Sequence, residues 1–285
     1  MGDGKAVVCL SYAATWMGKL FGGKRFFFEL YYALPIFQVY KRPKTRYNYN
    51  ILVELGGNYM QVAQKKAYTN HDTGLLGILA VLFMIIDHTG VIFFPNQTAW
   101  RILGRIALPL FAWGIAIGAT HTRSMARYAL RLLIMLFISQ PFYNGALNHT
   151  WAKLNIFAVL LLGLIGIWGL KEKKEWMTIG ALIIAELVPM DYGLRGVLCV
   201  LLLWALQDNP LALAVCFGAY CVVWGAGGRI IWDTPLFQVR IQTAALLALP
   251  LILLPSAKRT KTPKWLMYAM YPGHLAVLWL LKTYL

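Results

Sequence analysis

Asp87 and His88 stand side by side inside a strongly apolar run, which reads FMIIDHTG from residue 83 to residue 90. Neighbouring positions on a helix point about 100° apart, so each side chain needs a partner on another element. An ionisable side chain at mid-membrane costs at least about 2.5 kcal/mol and marks a functional candidate. A neutral imidazole accepts protons near pH 7, so we interpret His88 as a candidate general base. The alternative is a purely structural pair between helices.

Arg101 and Arg105 begin the next apolar run, which reads RILGRIALPL from residue 101 to residue 110. Their i, i+4 spacing places both on one helix face. We expect Arg101 to extend toward the membrane interface, where it is a candidate for substrate binding. Arg105 lies one turn deeper and needs an anion, so we predict that it pairs with Asp87 on an antiparallel neighbour. Gly104 would let the two helices approach closely.

His274 lies near the middle of the last apolar run, in YAMYPGHL from residue 268 to residue 275. Pro272 removes a helical hydrogen bond, so we expect a kinked or broken helix there. Tyr271 lies three residues before His274 and shares its face. Because His88 and His274 each have mostly apolar neighbours and we expect neither to find a partner on its own helix, we predict that they converge on one polar cavity lined by Tyr271. The alternative is a kinked helix with a satisfied core histidine.

Further polar residues within apolar runs are weaker candidates for substrate binding, because such residues are more often helix caps or bonds between helices. They are Gln140, beside Pro141 where we expect the third run to break, Asn155 at the start of the fourth run, and Tyr192 before the sixth. The sequence has no P-loop, GxGxxG, HExxH or GxSxG motif. We expect no metal site, since no CxxC pair occurs among Cys9, Cys199, Cys216 and Cys221.

The elements that must position these residues are membrane helices. Of 285 residues, 59% are apolar or aromatic and only 13% are charged, against about 25% charged in soluble domains. A spanning helix needs about 20 mostly apolar residues. The sequence predicts an all-α, polytopic integral membrane bundle of about nine transmembrane helices, over residues 75–94, 102–120, 128–146, 154–170, 177–190, 193–206, 211–227, 241–254 and 265–285.

Basic residues outnumber acidic ones by 27 to 11, which in a soluble protein would suggest a nucleic-acid partner. Here they gather in loops that fall on one side if nine spans alternate, and that side is the cytoplasm. We therefore expect the lipid bilayer as partner, no nucleic acid, and a carboxyl terminus outside. The clusters are Lys65 and Lys66; Arg123, Arg127 and Arg131; Lys171, Lys173 and Lys174; and Lys258, Arg259, Lys261 and Lys264.

Residues 1–73 differ from the rest and form a basic, partly apolar N-terminal extension ahead of a transmembrane domain over residues 74–285. Residues 26–40, FFFELYYALPIFQVY, predict an interfacial or partly inserted helix. Residues 56–60, GGNYM, can be back-translated to GGAGGTAATTATATG, a purine-rich ribosome-binding sequence just ahead of a start codon. We hypothesise that Met60 is the natural start and that residues 1–59 are an extension of it.

From about residue 74 to its end, the chain resembles the TraX family of bacterial membrane proteins, named for the conjugative-plasmid protein required to acetylate the amino terminus of pilin. The resemblance implies a multi-spanning acyltransferase of the bacterial cytoplasmic membrane, with acetyl-CoA as the donor. It does not fix the acceptor, which is pilin or another envelope component. The segments that carry the resemblance are IDHTG (86–90), GRIALPLF (104–111), SQPF (139–142), NIF (155–157), DYG (191–193), GVL (196–198) and YPGHL (271–275).

For acyl transfer, an acceptor amine or hydroxyl must lose a proton as it attacks a thioester carbonyl. His88 is our candidate base and His274 the second. Asp87 would orient an imidazole or pair with Arg105, which would stabilise the oxyanion or bind a phosphate. On the cytoplasmic side, Lys258, Arg259 and Lys261 are candidates to attract the phosphates of acetyl-CoA. Two rival interpretations remain, a proton-coupled transporter that uses the same cluster and a non-catalytic membrane scaffold.

Overall fold

The computed structural model describes residues 50–55, 58–63, 69–225, 229–233, 238–254 and 260–284. Contacts divide the chain into two compact units, residues 1–66 and 67–285. In the first unit, strands β1 (Asn50–Leu55) and β2 (Asn58–Ala63) form an antiparallel hairpin. The helix expected over residues 26–40 lies outside the described residues. The proposed domain boundary at residue 73 stays a prediction.

The second unit is mostly helical, and its helices follow the predicted apolar runs within a few residues. They are α1 (Thr73–Phe93), α2 (Thr98–Gly104), α3 (Ala107–His121), α4 (Met125–Leu147), α5 (Ile156–Glu172), α6 (Glu175–Leu187), α7 (Gly193–Leu206), α8 (Pro210–Gly225), a 3-10 helix (Ile241–Ala248) continued by α9 (Leu249–Leu253), and α10 (Lys264–Tyr284). Strands β3 (Ile230–Asp233) and β4 (Gln238–Arg240) pair between α8 and the 3-10 helix. The two hairpins correct the all-α expectation; β-branched and aromatic residues in β3 favour a strand.

Three stretches of the described chain are long and apolar enough to cross a bilayer: α1, α2 together with α3, and α4. Apart from α10, which has 21 residues, the other described helices are shorter. The 13 residues of α6 span about 20 Å, against about 30 Å of hydrocarbon. The structure therefore supports a helical membrane protein, while crossing by all nine predicted runs stays a prediction. Exposed apolar side chains, of the kind that face lipid, line α4 and α10: Leu130, Ile134, Phe137, Ile138, Val277, Leu280 and Leu281.

Two helices continue through prolines, which corrects the break expected at Pro141; at Pro272, where we expected a kinked or broken helix, the helix does not break. Pro141 lies inside α4 and Pro272 inside α10. A proline removes one amide donor and crowds one carbonyl four residues earlier, so the remaining hydrogen bonds can keep the helix continuous. The two helices also pack against each other along their length, with Gly145 of α4 against the indole of Trp279. This packing supports the turns that the prolines weaken.

The helix ends gather in two groups, which we name the Asp72 end and the Asp191 end. At the Asp72 end, the segment 69–72 before α1 bonds Gln207 after α7, the carbonyl of Ile252 in α9 and Thr260 before α10. At the Asp191 end, residues 147–155 after α4 bond residues 188–192 after α6. Successive long helices therefore run in alternate directions. Of the two cavities described below, one lies toward each end.

Close packing between α5 and α7 holds the middle of the bundle. A Cβ atom at Gly163 would lie 2.7 Å from the side chain of Val200, and one at Gly196 would lie 2.6 Å from Val159. Small residues of this kind let membrane helices approach closely. In α3, Trp113 is fully buried and its Nε1 donates to the carbonyl of Asn70 at 2.7 Å. The helices that carry the polar residues are thus fixed against one another.

Candidate active site

His88 of α1 and His274 of α10 meet directly, although 186 positions separate them in the chain. Nδ1 of His88 lies 2.7 Å from Nε2 of His274, and the two rings are nearly parallel. The ring of Tyr271 packs edge-on against both imidazoles. The convergence predicted from the sequence is therefore confirmed as geometry, because α10 packs on α1 with this face turned inward.

The hydrogen bonds of the pair determine which nitrogen holds each proton. Nδ1 of His274 lies 2.8 Å from the carbonyl of Met270, and a carbonyl only accepts, so this nitrogen carries the proton. With neutral rings, Nε2 of His274 is then an acceptor and Nδ1 of His88 the donor. Nε2 of His88 is left with the lone pair. The expectation that His274 has no partner on its own helix was wrong, since the backbone of α10 provides one.

Asp87 pairs with Arg105, as predicted. Nη2 of Arg105 donates to both carboxylate oxygens of Asp87, at 2.8 and 2.9 Å, and both residues are buried. Gly104 makes the contact possible, because a Cβ atom there would lie 2.0 Å from Oδ1 of Asp87. Asp87 and His88 thus point to different partners on different helices, as adjacent helix positions require.

The prediction that Arg101 extends to the membrane interface needs a correction, because its side chain binds Asp87 as well. Its Nη1 donates to Oδ2 of Asp87 at 2.8 Å, with the arginine side chain 30% exposed. The physical reason is that a carboxylate has two oxygens and can accept from two guanidinium groups on one helix face. Asp87 therefore positions both arginines.

Asp87, His88, Arg101 and Arg105 line one cavity of about 490 Å³ at the Asp191 end, the first cavity, whereas His274 lies behind His88 and is not part of its lining. The lining also includes Phe111 of α3 and Trp224 of α8. Of the predicted site residues, the first cavity holds Asp87, His88, Arg101, Arg105, Tyr192 and Tyr271. The guanidinium of Arg105 lies over the ring of Tyr192, 5.7 Å from its centre.

Sequence reasoning missed a second charged group on the wall of the first cavity. Lys153 lies 3.0 Å from Asp191, and Tyr143 donates to the same carboxylate at 2.6 Å. His149 contacts Lys153 at 3.2 Å, and burial together with the Lys153 ammonium lowers the pKa of His149. The available signal was topological, since His149, Lys153 and Asp191 all fall in predicted outer loops on the side where Arg101 lies.

Gln140 and Asn155, two predicted substrate-binding residues, do not line the first cavity. They bond each other instead, and Oε1 of Gln140 accepts from both the amide and Nδ2 of Asn155. Nε2 of Gln140 donates to the carbonyl of Lys153 at 2.7 Å. The pair connects α4 to the start of α5. Gln140 also contacts the loop that carries Lys153, so the pair helps to position that loop.

A second cavity of about 640 Å³ lies toward the Asp72 end. It includes Lys261, whereas Lys258 and Arg259, the other two residues predicted to attract phosphate, lie outside the described residues. In the part of the chain that the structure describes, no three His, Cys, Asp or Glu side chains cluster to hold a metal ion. The arrangement could accept a proton on an imidazole beside one buried guanidinium group, Arg105, and one that is partly exposed, Arg101.

The fold and the first cavity define a helical membrane protein with a histidine pair and a buried aspartate–arginine pair at one polar site. The chain belongs to the TraX family, since the family model described as TraX protein matches residues 73–282. A probable fimbrial assembly protein, FimC of serogroup H1 from Dichelobacter nodosus, is 26% identical over 234 residues, which cover 74% of this chain and 95% of that protein. An uncharacterized protein of Rickettsia prowazekii is 48% identical over 54 residues, covering 19% and 21% of the two chains. No solved structure matches.

Proposed function

We propose that this protein is an integral membrane acyltransferase that transfers an acetyl group from acetyl-CoA to an amine or hydroxyl acceptor. The observation that supports this most is the contact between Nδ1 of His88 and Nε2 of His274. It leaves a basic nitrogen on His88, a side chain that lines the first cavity. Membership of the TraX family, named for a protein required for pilin acetylation, agrees with this chemistry.

The proposed step is a direct transfer. The acceptor nitrogen or oxygen forms a bond with the acetyl carbon, and its proton passes to Nε2 of His88. The carbon–sulfur bond breaks, and the thiolate takes up the proton that His88 received, so that atoms and charges balance. His274 is a positioning residue in this scheme, because its Nε2 accepts from His88 and keeps Nε2 of His88 unprotonated.

Arg101 and Arg105 supply positive charge beside the reacting group. The tetrahedral intermediate carries an oxyanion, and preorganised donors at such a site contribute several kcal/mol to catalysis. Asp87 holds both guanidinium groups through hydrogen bonds of 2.8 to 2.9 Å. This pairing fixes their direction before the substrate arrives.

For the acceptor, we propose the amino terminus of pilin or another component of the cell envelope. The support is the similarity to the Dichelobacter nodosus protein, a probable fimbrial assembly protein. We also propose that nine segments cross the bacterial cytoplasmic membrane and leave the carboxyl terminus outside. A reporter fused after Leu170 should then be cytoplasmic and one fused at Leu285 external. A cytoplasmic reporter at Leu285 would contradict nine crossings.

The direct test is acetyl transfer by the purified protein in detergent or liposomes. We expect transfer of labelled acetyl from acetyl-CoA to a peptide with a free amino terminus or to an envelope polysaccharide. The same peptide with a blocked amine is the matched control for the acceptor. The absence of label on every acceptor, together with the absence of thiol release from acetyl-CoA, would contradict the proposal.

A proton-coupled transporter is the second candidate, and one observation favours it. Two cavities reach into the bundle from opposite ends and share lining residues next to the histidine pair. In that case His88 and His274 would relay protons. Uptake of a solute driven by a pH gradient in liposomes, without acetyl-CoA turnover, would favour the transporter.

A further inference from the structure

We propose that the second cavity binds the acyl donor, with the phosphates of coenzyme A at the Asp72 end and its thiol arm directed toward Tyr271. Donor and acceptor would then reach the histidine pair from opposite ends of the bundle. This inference rests on the proposed acyl transfer and adds to it the place and side of donor binding.

The two cavities meet inside the bundle. Both are lined by Met84 of α1, Phe111 of α3, Ile156 of α5 and Tyr271 of α10. Tyr271 also packs against His88 and His274. A ligand that fills the second cavity from the Asp72 end therefore ends beside the imidazole pair, where the acceptor enters from the other side.

Two buried hydroxyl groups of the second cavity point to a polar occupant. The hydroxyl of Tyr271, on a side chain only 4% exposed, makes no hydrogen bond within the described part of the chain. The same is true of Oγ1 of Thr262 near the Asp72 end. Buried polar groups nearly always have a partner, so both are expected to bond a ligand or water. Amide groups along the arm of coenzyme A would supply such partners.

The walls between these hydroxyls form a mostly apolar passage. On α1 its lining extends from Asp72 to Met84, twelve residues that rise about 18 Å at 1.5 Å each. At Gly114, halfway along, a Cβ atom would meet nothing within 4 Å, so a side chain there would occupy the cavity. A passage of this length suits a thin flexible arm better than a compact anion.

Charges at the Asp72 end suit a phosphate-bearing group. Arg131 and Lys261 line the second cavity there, together with His71 and His121. Asp72 is the acidic residue of the lining, and its carboxylate already accepts from four donors, two amides of α1 and the amide and hydroxyl of Thr260. The two cations therefore dominate, and the positive-inside rule places the same end on the cytoplasmic side, where coenzyme A is made.

The test measures binding of coenzyme A to the full-length protein in detergent by calorimetry. We expect Gly114→Leu to weaken binding by roughly tenfold or more, because the new side chain fills the passage. Gly180→Leu is the matched control, since a Cβ atom at Gly180 on α6 also meets nothing within 4 Å and lies outside both cavities. Equal binding by the two variants would overturn the proposal.

A second variant covers the case in which Gly114→Leu does not fold. Arg131→Gln should weaken binding of coenzyme A by roughly tenfold and leave binding of pantetheine, which lacks the phosphates, unchanged. Arg127→Gln, at an exposed position of the same helix, is the control. Equal losses of affinity for coenzyme A and for pantetheine would overturn the assignment. It would also be overturned if phosphatidylglycerol were the only compound that displaced coenzyme A.

The outcomes for donor binding and for the proposed function can be separated. Suppose that the parent protein binds coenzyme A, that Gly114→Leu abolishes this binding, and that no acetyl transfer is found. This result would support the donor cavity and contradict the acyltransferase. Acetyl transfer that proceeds with an unchanged KM for acetyl-CoA in Gly114→Leu would support the enzyme and overturn the donor cavity.

Discussion

The Asp191 end and the Asp72 end of the helical unit differ in the residues that form them. At the Asp191 end, two carboxylates bond three cationic side chains across separate elements, Asp87 with Arg101 and Arg105, and Asp191 with Lys153. At the Asp72 end, the one carboxylate of the second cavity caps α1, and glycines and apolar side chains form about half of the lining. The difference agrees with the proposal that the reacting groups lie at the Asp191 end and that the acyl donor enters from the Asp72 end.

The largest expected effect concerns the buried pair of the Asp191 end. Arg105→Ala leaves Asp87 without its buried partner, and we expect a loss of about 3–5 kcal/mol in unfolding free energy. Arg101→Ala should lose about 0–1 kcal/mol, because that arginine is 30% exposed. Unfolding in mixed micelles measures both.

A double-mutant cycle checks that this loss comes from the pair itself. Asp87→Asn combined with Arg105→Gln should lose less stability than the sum of the single changes, since the two groups are in contact. Additive losses would show that the two side chains do not interact, and the contrast between the two ends would fail.

The second group of the same end gives a smaller expected effect. Tyr143→Phe removes the donor to Asp191 at 2.6 Å, and a hydrogen bond to a charged group contributes about 1.5–3 kcal/mol. Tyr284→Phe, at a side chain that is 81% exposed, is the control and should be neutral. Equal stability of both variants in thermal unfolding would contradict the role given to Asp191.

A substitution at Gly104 sharpens the comparison between the two ends, because it tests only the close approach of α2 to α1 at the Asp191 end. Gly104→Ala puts a methyl group 2.0 Å from the present position of Oδ1 of Asp87, and overpacking of this kind costs about 1–3 kcal/mol. Gly180→Ala, in open space on α6, should be neutral or stabilising by up to about 1 kcal/mol. A Gly104→Ala variant as stable as the parent would mean that the pair tolerates displacement.

The smallest expected effect lies at the Asp72 end and depends on pH. Burial opposes ionisation of Asp72, but hydrogen bonds from Leu75, Thr260 and Gly74 outweigh it and hold its pKa below the ordinary value of 3.8. The stabilisation is therefore present above about pH 4 and is lost as the pH falls through the lower folded pKa. Asp72→Ala should lose about 0.5–2 kcal/mol at pH 7, as for other helix caps.

Acid titration of stability checks this origin. Asp72→Asn should show a shallower loss of stability below pH 4 than the parent protein, because the titrating group is gone. An unchanged acid dependence would mean that the Asp72 carboxylate does not stabilise the start of α1.

Much of this arrangement was predictable, since apolar runs gave the helices and the depth of Arg105 identified the partner of Asp87. The remainder depends on contacts that periodicity does not encode. Lys153 and Asp191 lie in separate loops, and only the packing of α4, α5 and α6 brings them together. Arg101 shares Asp87 because the carboxylate has a second oxygen, and His274 finds a backbone acceptor in Met270 because of its rotamer.

The prolines show a limit of local rules. Pro141 predicted a break and Pro272 a kinked or broken helix, yet α4 and α10 continue through them. The local sequence correctly indicates a lost hydrogen bond at each proline. It does not indicate the packing of α4 against α10, which supports both helices as continuous elements. A different contact of α10, its packing on α1, places His274 beside His88.

The central claim is that His88 is the base and that His274 positions it, and acetyl transfer by matched histidine variants tests it most directly. We expect His88→Ala to lose about 10²–10⁴-fold in kcat while unfolding at the same temperature as the parent protein. His274→Gln should retain more activity than His274→Ala, because the Gln amide oxygen can still accept from Nδ1 of His88. A folded His88→Ala variant with the parent kcat would contradict the account.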